Sequence, residues 1–193
     1  MFEQLIISLP HLKETLQQYA GQFKRIEVPA RTILLREGQI SKRSFHIEKG
    51  CLRVSFNNNG HDITCQFMFE GQMVSSADSF KRNVPSSFSI EAIEPSVIHV
   101  LPKKDYEQIM HHLNQDNAFL REMVEIIFDR QLHYMHEFMS LIRDTPQQRY
   151  LNLLQNKPQL LQRVPQHYIA SYLGITPVHL SRIRNKVARE KKH

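Results

Sequence analysis

Four of the six glycines, Gly38, Gly50, Gly60 and Gly71, fall 12, 10 and 11 residues apart. The stretches between them are short and rich in β-branched and aromatic residues: Thr32-Ile33-Leu34-Leu35, Ser44-Phe45-His46-Ile47, Leu52-Arg53-Val54-Ser55-Phe56 and Ile63-Thr64-Cys65-Gln66-Phe67. Short strands with a turn signal roughly every 8–12 residues pair antiparallel and close into a sandwich or barrel. Asn57-Asn58-Asn59-Gly60 reads as a tight hairpin turn, because Asn and Gly accept the positive φ that such turns require. Ser87–Ala92 and Ser96–Leu101 continue the β pattern. A compact β domain is therefore expected over about residues 20–101, preceded by a short helix at about residues 2–19. At 193 residues and 41% apolar content, the chain is large enough to bury a core beneath it.

The pattern changes after Pro102. Lys103 to Ile142 holds no Gly or Pro. Lys103–His112 reads as a short helix, Asn114-Gln115-Asp116-Asn117 as a break, and residues 118–142 as a long helix. Leu120, Val124, Ile127, Gln131, Tyr134, Phe138 and Leu141 follow a 4-3-4-3-4-3 spacing, the seam of a coiled coil. The competing reading is a core helix lying on its own β domain. Length favours the seam, since a helix over residues 118–142 is about 37 Å long and outreaches a small domain. The organisation is then a sensor-type domain over residues 1–117, a dimerisation helix over 118–142 and a C-terminal domain over 143–193.

That last segment opens on Asp144-Thr145-Pro146, a helix stop and restart. Gln147–Gln155 reads as a helix with Tyr150, Leu151 and Leu154 inward, and Arg163-Val164-Pro165 as a short extended piece. Residues 166–187, QHYIASYLGITPVHLSRIRNKV, carry the densest signal. A first helix covers about Gln166–Leu173, Gly174 permits the turn, Thr176 is an N-cap and Pro177 suits the first helical position. Leu180, Ile183 and Val187 then repeat at helical spacing. Two short helices joined by a glycine turn form a helix-turn-helix, with Ala170 small enough to let them cross.

At 100° per residue, Val178, Ser181, Arg182 and Asn185 lie together and outward on the second helix. Arg182 is the candidate base reader, because a guanidinium bonds bidentately to guanine O6 and N7, and Val178 suits a thymine methyl. Thr176, Pro177 and His179 sit at the helix start, where Thr176 and His179, with Lys186 further on, suit phosphates. A plain helical hairpin with a solvated basic face is the competing reading, and the charge distribution weighs against it. Residues 143–193 hold 10 Lys/Arg against Asp144 and Glu190, a net of +8. Residues 1–142 hold 15 Lys/Arg against 17 Asp/Glu, a net of −2. Such a split marks an anion-binding module beside a different kind of domain.

Other function classes recede. Two cysteines, Cys51 and Cys65, cannot build a disulfide scaffold or a Cys₄ metal site, and both are read as small buried hydrophobes. His133 and His136, three apart on the long helix, read as a solvated pair rather than metal ligands. No nucleophile–base arrangement or phosphate loop stands out, so the chain is read as not an enzyme. It shows no signal segment and no run of about 18 apolar residues, which places it in the cytoplasm with no membrane partner.

The order of β domain, long helix and helix-turn-helix resembles the Crp/Fnr superfamily of bacterial transcription regulators. The likeness spans nearly the whole chain. Its N-terminal part rests on Leu35-Arg36-Glu37-Gly38-Gln39, on Phe45 through Val54 and on Phe69-Glu70-Gly71-Gln72, which resemble the cyclic-nucleotide-binding β-roll. Its C-terminal part rests on Pro146–Leu151, on Ile169–Thr176 and on Leu180-Ser181-Arg182-Ile183. The resemblance implies an α+β fold: an antiparallel β-roll (a cyclic-nucleotide-binding-like jelly roll), a long dimerisation helix and a winged-helix-like C-terminal domain. It implies a homodimer on near-palindromic double-stranded DNA, with RNA polymerase and a small-molecule effector as further partners.

The sequence departs from the cyclic-nucleotide sensors of that superfamily. They hold ligand with a Gly-Glu turn and an Arg-Ser pair, Arg neutralising the phosphate and Glu taking a ribose hydroxyl. Here the turn reads Gly71-Gln72 and the Arg-Ser position reads Ser86-Ser87, so cAMP is not expected and the cofactor is unknown. Arg82 lies nearby in a longer loop. If the pocket is used, Gly71, Gln72, Ser75, Arg82, Ser86, Ser87 and Tyr134 would line it; otherwise residues 75–89 are an ordinary polar loop. The oxygen-sensing branch needs several N-terminal cysteines, so no iron–sulfur cluster is expected. A ligand-binding or interaction module with a basic C-terminal tail contacting RNA or an acidic protein is the alternative reading.

Overall fold

The computed structural model describes residues 9–190. They fall into two compact units, one built from residues up to Phe56 with Phe67–Phe128, the other from Asn57–Gln66 with the residues from Asp129 onward.

The first unit is a β-sandwich. One sheet has the order β1 (Lys24–Val28), β8 (Ser96–Pro102), β3 (Arg43–Lys49), β6 (Met73–Val74); the other has β2 (Thr32–Leu35), β7 (Ser89–Ala92), β4 (Leu52–Asn58), β5 (His61–Met68). The pairs β1–β8, β3–β8, β3–β6, β2–β7 and β4–β7 are all antiparallel. Alternate residues of the facing strands meet in one core, with Phe45, Ile47, Ile98 and Val100 from one sheet and Leu52, Val54, Ile90 and Ala92 from the other. Burial of these β-branched and aromatic side chains supplies the main favourable term.

Two glycine turns show why the punctuation is there. Gly50 sits at φ 109° between β3 and β4, and a Cβ there would stand 2.2 Å from Ser96 Oγ. The β4–β5 turn places Asn59 at φ 51° and Gly60 at φ 87°, and Asn57 Oδ1 accepts from Gly60 N at 2.9 Å. This is the two-residue turn with positive φ at both positions that matches strand twist. Across β4 and β7, Arg53 faces Glu91 at 2.8 Å, with side chains only 5% and 14% exposed.

A second core packs the helices of this unit. A 3₁₀ turn (Pro10–Leu12) and α1 (Lys13–Gln17) bring Leu12 and Leu16 against α3 (Lys103–Leu113) and the start of α4 (Asn117–Arg143), with Leu101, Ile109, Leu113 and Phe119 buried between them. Tyr19 Oη and His112 Nδ1 share a hydrogen bond of 2.7 Å at its edge. The expected helix over 2–19 is thus shorter and partly 3₁₀ over its described part; residues 1–8 lie outside the described residues.

The second unit is helical: the C-terminal half of α4, α5 (Pro146–Asn156), α6 (Pro158–Arg163), α7 (Gln166–Tyr172) and α8 (Pro177–Glu190). Thr145 closes a capping box with Gln148 at the start of α5: Thr145 Oγ1 accepts from Gln148 N at 3.3 Å, and Thr145 N donates to Gln148 Oε1 at 2.8 Å. Arg149 fastens two helix ends. Its Nε and Nη2 donate to Leu173 O at 3.1 and 2.9 Å, and its Nη1 to Asp144 O at 2.6 Å and Leu141 O at 3.4 Å. A cation among C-terminal carbonyls is favoured by charge as well as by hydrogen bonding.

The β4–β5 tip belongs to this unit. Thr64 N donates to Ser171 Oγ at 2.9 Å, and Ser171 Oγ donates to Asp62 O at 3.0 Å. One serine of α7 thereby clips the hairpin from two sides, and Thr64 is buried.

Several expectations need correction. Residues 75–89 are not a plain loop; they contain α2 (Ala77–Arg82), ended by Asn83 at φ 58°. The inward residues of α5 are Tyr150 and Leu153, while Leu151 is exposed. Helix α6 precedes the extended Val164. Cys51 is buried, but Cys65 is exposed on β5. No helix among the described residues is long and apolar enough to cross a membrane.

Candidate nucleic-acid interface and effector pocket

The helix-turn-helix forms because each turn residue satisfies a backbone need. Gly174 stands at φ 67° after α7. Its N–H bonds to Ser171 O at 3.0 Å, and Ile175 N bonds to Ala170 O at 3.0 Å. This paired closure satisfies carbonyls that a helix end leaves open, and it needs a left-handed residue at the glycine. Thr176 then caps α8, its Oγ1 accepting from His179 N at 3.2 Å. Ala170 of α7 and Leu173, which follows it, are buried, as are Leu180, Ile183 and Val187 of α8.

The opposite face of α8 is open. Thr176, Pro177, Val178, His179, Ser181, Arg182, Asn185 and Lys186 are all exposed. Lys186 Nζ donates to Gln147 Oε1 of α5 at 3.0 Å and stands 3.9 Å from Glu190. The Arg182 side chain has no hydrogen-bond or ion-pair partner among the described residues. An unpaired guanidinium on a helix face, one turn beyond a capped N-terminus, is equipped to bond a planar acceptor pair or a phosphate.

The same compact unit holds a polar cluster that sequence reasoning missed. Glu137 of α4 accepts from Lys157 Nζ at 2.9 Å and from the Tyr172 hydroxyl. Lys157 Nζ also lies 3.3 Å from Tyr172 Oη. Burial pushes the Tyr172 phenol up, and the Glu137 carboxylate adds to that. Burial alone would raise the Glu137 carboxyl, but the Tyr172 and Lys157 hydrogen bonds, with the charges of Lys157 and His133, outweigh it and leave it below its ordinary value. The residues lie 15 to 35 positions apart, so no local pattern announced them.

Every position of the 4-3 seam on α4 is exposed: Leu120, Val124, Ile127, Gln131, Tyr134, Phe138 and Leu141. Val124 and Phe138 leave 63% and 64% of their surfaces uncovered, and Phe128, Met135 and Ile142 widen the strip. Large apolar side chains thus form an exposed strip along α4. Among the described residues no group of three His, Cys, Asp or Glu is placed to hold a metal; His133 lies 3.9 Å from Glu137.

The pocket candidates do not converge. Gly71 and Gln72 form the exposed β5–β6 turn, where Gln72 Oε1 accepts from Phe69 N at 2.7 Å. Arg82 is 74% exposed and pairs with Asp78 one turn back at 3.1 Å, so it does not stand in for a buried phosphate ligand. Ser87 is exposed and Ser75 half-buried. Tyr134 belongs to the other compact unit. Ser86 is buried, and its hydroxyl meets that of Ser76 at 2.9 Å and donates to Phe88 O at 2.7 Å. Ser76, absent from the expected set, is the residue the fold brings to Ser86; its place as N-cap of α2 was the available signal.

Residues 25–112 match the family model of the cyclic nucleotide-binding domain. Solved structures match along most of the chain. The c-di-GMP responsive global regulator CLP of Xanthomonas campestris is 14% identical, covers 92% of this chain and 92% of its own, and superposes with a TM-score of 0.72. FixK2 of Bradyrhizobium japonicum is 14% identical over 88% of this chain and 86% of its own, at 0.71. The catabolite activator protein of Thermus thermophilus is 18% identical over 93% of this chain and 84% of its own, at 0.56. No curated protein matches the sequence. The fold therefore defines a β-roll of the cyclic nucleotide-binding type, a long helix and a C-terminal helix-turn-helix. That is the fold expected from the resemblance of its sequence motifs.

The β-roll's own residues do not fit a cyclic nucleotide. At the Arg-Ser position stand Ser86, buried and bonded to Ser76, and Ser87, which is exposed, while Arg82 is turned to solvent. Burying a phosphate there without a paired cation is costly.

Proposed function

We propose that this chain is a homodimeric transcription regulator that reads near-palindromic duplex DNA with α8. The observation that carries the reading is the α8 face. Arg182 and its neighbours Val178, Ser181 and Asn185 stand open over a buried row of Leu180, Ile183 and Val187, in the segment that holds the net +8. Arg182 and Val178 read bases, Ser181 and Asn185 flank them, and Thr176, His179 and Lys186 meet phosphates. The apolar strip on α4 joins two copies, setting two recognition helices to fit major grooves about 34 Å apart. RNA polymerase is the partner downstream, and a small effector other than a cyclic nucleotide acts on the β-roll.

A gel-shift titration against the promoter of the chain's own operon, over a series of salt concentrations, tests this. Arg182→Ala is expected to cost about 1–3 kcal/mol of discrimination, and Lys186→Ala to lower the salt slope by about one ion. Retained sequence-specific binding by the Arg182→Ala, Lys186→Ala double variant refutes the assigned face. Binding without sequence preference favours the interaction-module reading instead. Phe138→Glu places a charge in the strip and is expected to give a monomer in sedimentation velocity; a dimer refutes the α4 seam.

A further inference from the structure

The chain passes from β2 of one sheet to β3 of the other through residues 36–42, and a cavity of about 470 Å³ lies along this crossing. Leu35 and Phe45, both members of the sandwich core, line it. Ile40 adds an exposed apolar wall, and Lys42 and Arg43 stand on the rim. Neither cationic side chain has a carboxylate or hydrogen-bond partner among the described residues.

The crossing is held in place. Gly38 N bonds to Ser86 O at 2.7 Å and Ser86 N to Gln39 O at 2.8 Å. Ser41 N donates to Ser79 Oγ at 2.8 Å, and Lys103 N to Lys42 O at 2.9 Å. Ile40 bridges to Pro85. These four hydrogen bonds fix the rim before any ligand arrives, which lowers the ordering cost of binding.

We propose that this cavity is a binding site for a small apolar carboxylate, with the apolar body on Leu35, Ile40 and Phe45 and the carboxylate between Lys42 and Arg43. The cavity lies within the range that small ligands fill, and such sites pair an apolar lining with a few placed polar groups. Two cations without a counter-charge select an anion, and the apolar lining selects an apolar body. Neither Ser76 nor Ser86 lines this cavity, and the proposal stands whether or not the chain binds DNA.

The test uses the full chain, ¹⁵N-labelled, with adamantane-1-carboxylate as probe and its neutral carboxamide as control. Saturable amide shifts confined to residues 34–45 and their neighbours in the fold are expected. The carboxylate should bind about tenfold more tightly than the carboxamide, the size of effect two rim charges supply. The Lys42→Gln, Arg43→Gln variant should lose that preference while keeping the carboxamide shifts and the unliganded spectrum, because neither side chain holds the fold. Equal affinity for acid and amide overturns the proposal. So does the absence of shifts at residues 34–45, or their appearance only along the apolar strip of α4.

Discussion

Arg149 offers the sharpest test of how the C-terminal unit is assembled. Replacing it with leucine removes four donor contacts, two to Leu173 O and one each to Asp144 O and Leu141 O. Hydrogen bonds from a charged donor are worth about 1.5–3 kcal/mol when fully buried. Arg149 is half-buried, the 3.4 Å contact is weak, and the released carbonyls regain water. About 1 kcal/mol for each of the two strongly bonded ends, plus about 0.5 kcal/mol for the lost charge at the helix termini, gives a loss of about 2–3 kcal/mol. At 1.4 kcal/mol per tenfold, amide protection across α7 and α8 should fall roughly 50-fold. Hydrogen exchange read by mass spectrometry separates this loss from the β-sandwich, whose protection over β7 and β8 should hold. Arg149→Lys keeps the charge but cannot span three carbonyls, and it should recover only part of the loss. Unchanged protection over α7 and α8, or an equal fall in both units, refutes the assignment.

Three further perturbations separate the remaining contributions. Arg53→Met strands a mostly buried Glu91 carboxylate and should cost about 3–5 kcal/mol in denaturant unfolding, whereas adding Glu91→Leu should recover most of it; equal losses for both variants would argue against the pair. Gly50→Ala meets both a positive φ and the Ser96 hydroxyl, and should lower the sandwich's stability by about 2–4 kcal/mol in a thermal melt. Glu137 titrates below its ordinary value in the fold, so its contribution is complete above the unfolded value of about 4.3 and is lost as pH falls through the lower folded value. Helical circular dichroism followed through that acid window should therefore change less with pH in Glu137→Gln than in the parent chain; identical profiles would remove Glu137 as the cause.

What the sequence revealed follows the range of the forces involved. The turn at Asn59-Gly60 and the α8 start at Thr176-Pro177 were legible because backbone φ and capping are decided within four residues. The buried row Leu180, Ile183, Val187 was legible because a regular helix repeats its faces. Helix α2 escaped because six residues are too few for a periodic signal. Leu151 and Leu153 were exchanged because Tyr150, Leu151, Leu153 and Leu154 crowd into one stretch of five residues that runs round the helix, leaving the inward face to the tertiary fit. Arg53 with Glu91, and Glu137 with Lys157 and Tyr172, are partners that only the fold introduces. At the pocket, counting residues found Ser86 but could not find Ser76, its partner across α2.

The clip at Ser171 has a consequence for how the chain is made and divided. Thr64 and Ser171 are 107 residues apart, so the C-terminal unit owns a piece of sequence synthesised long before the rest of it. Closing a loop of that length costs entropy that grows only as the logarithm of its length, but it must be met before the contact returns anything. The hairpin therefore waits, its two strands formed and its tip uncovered, until the last helices arrive. A fragment begun at residue 129 is not a domain cut at a joint; it is a helix-turn-helix missing the ten residues that complete its unit.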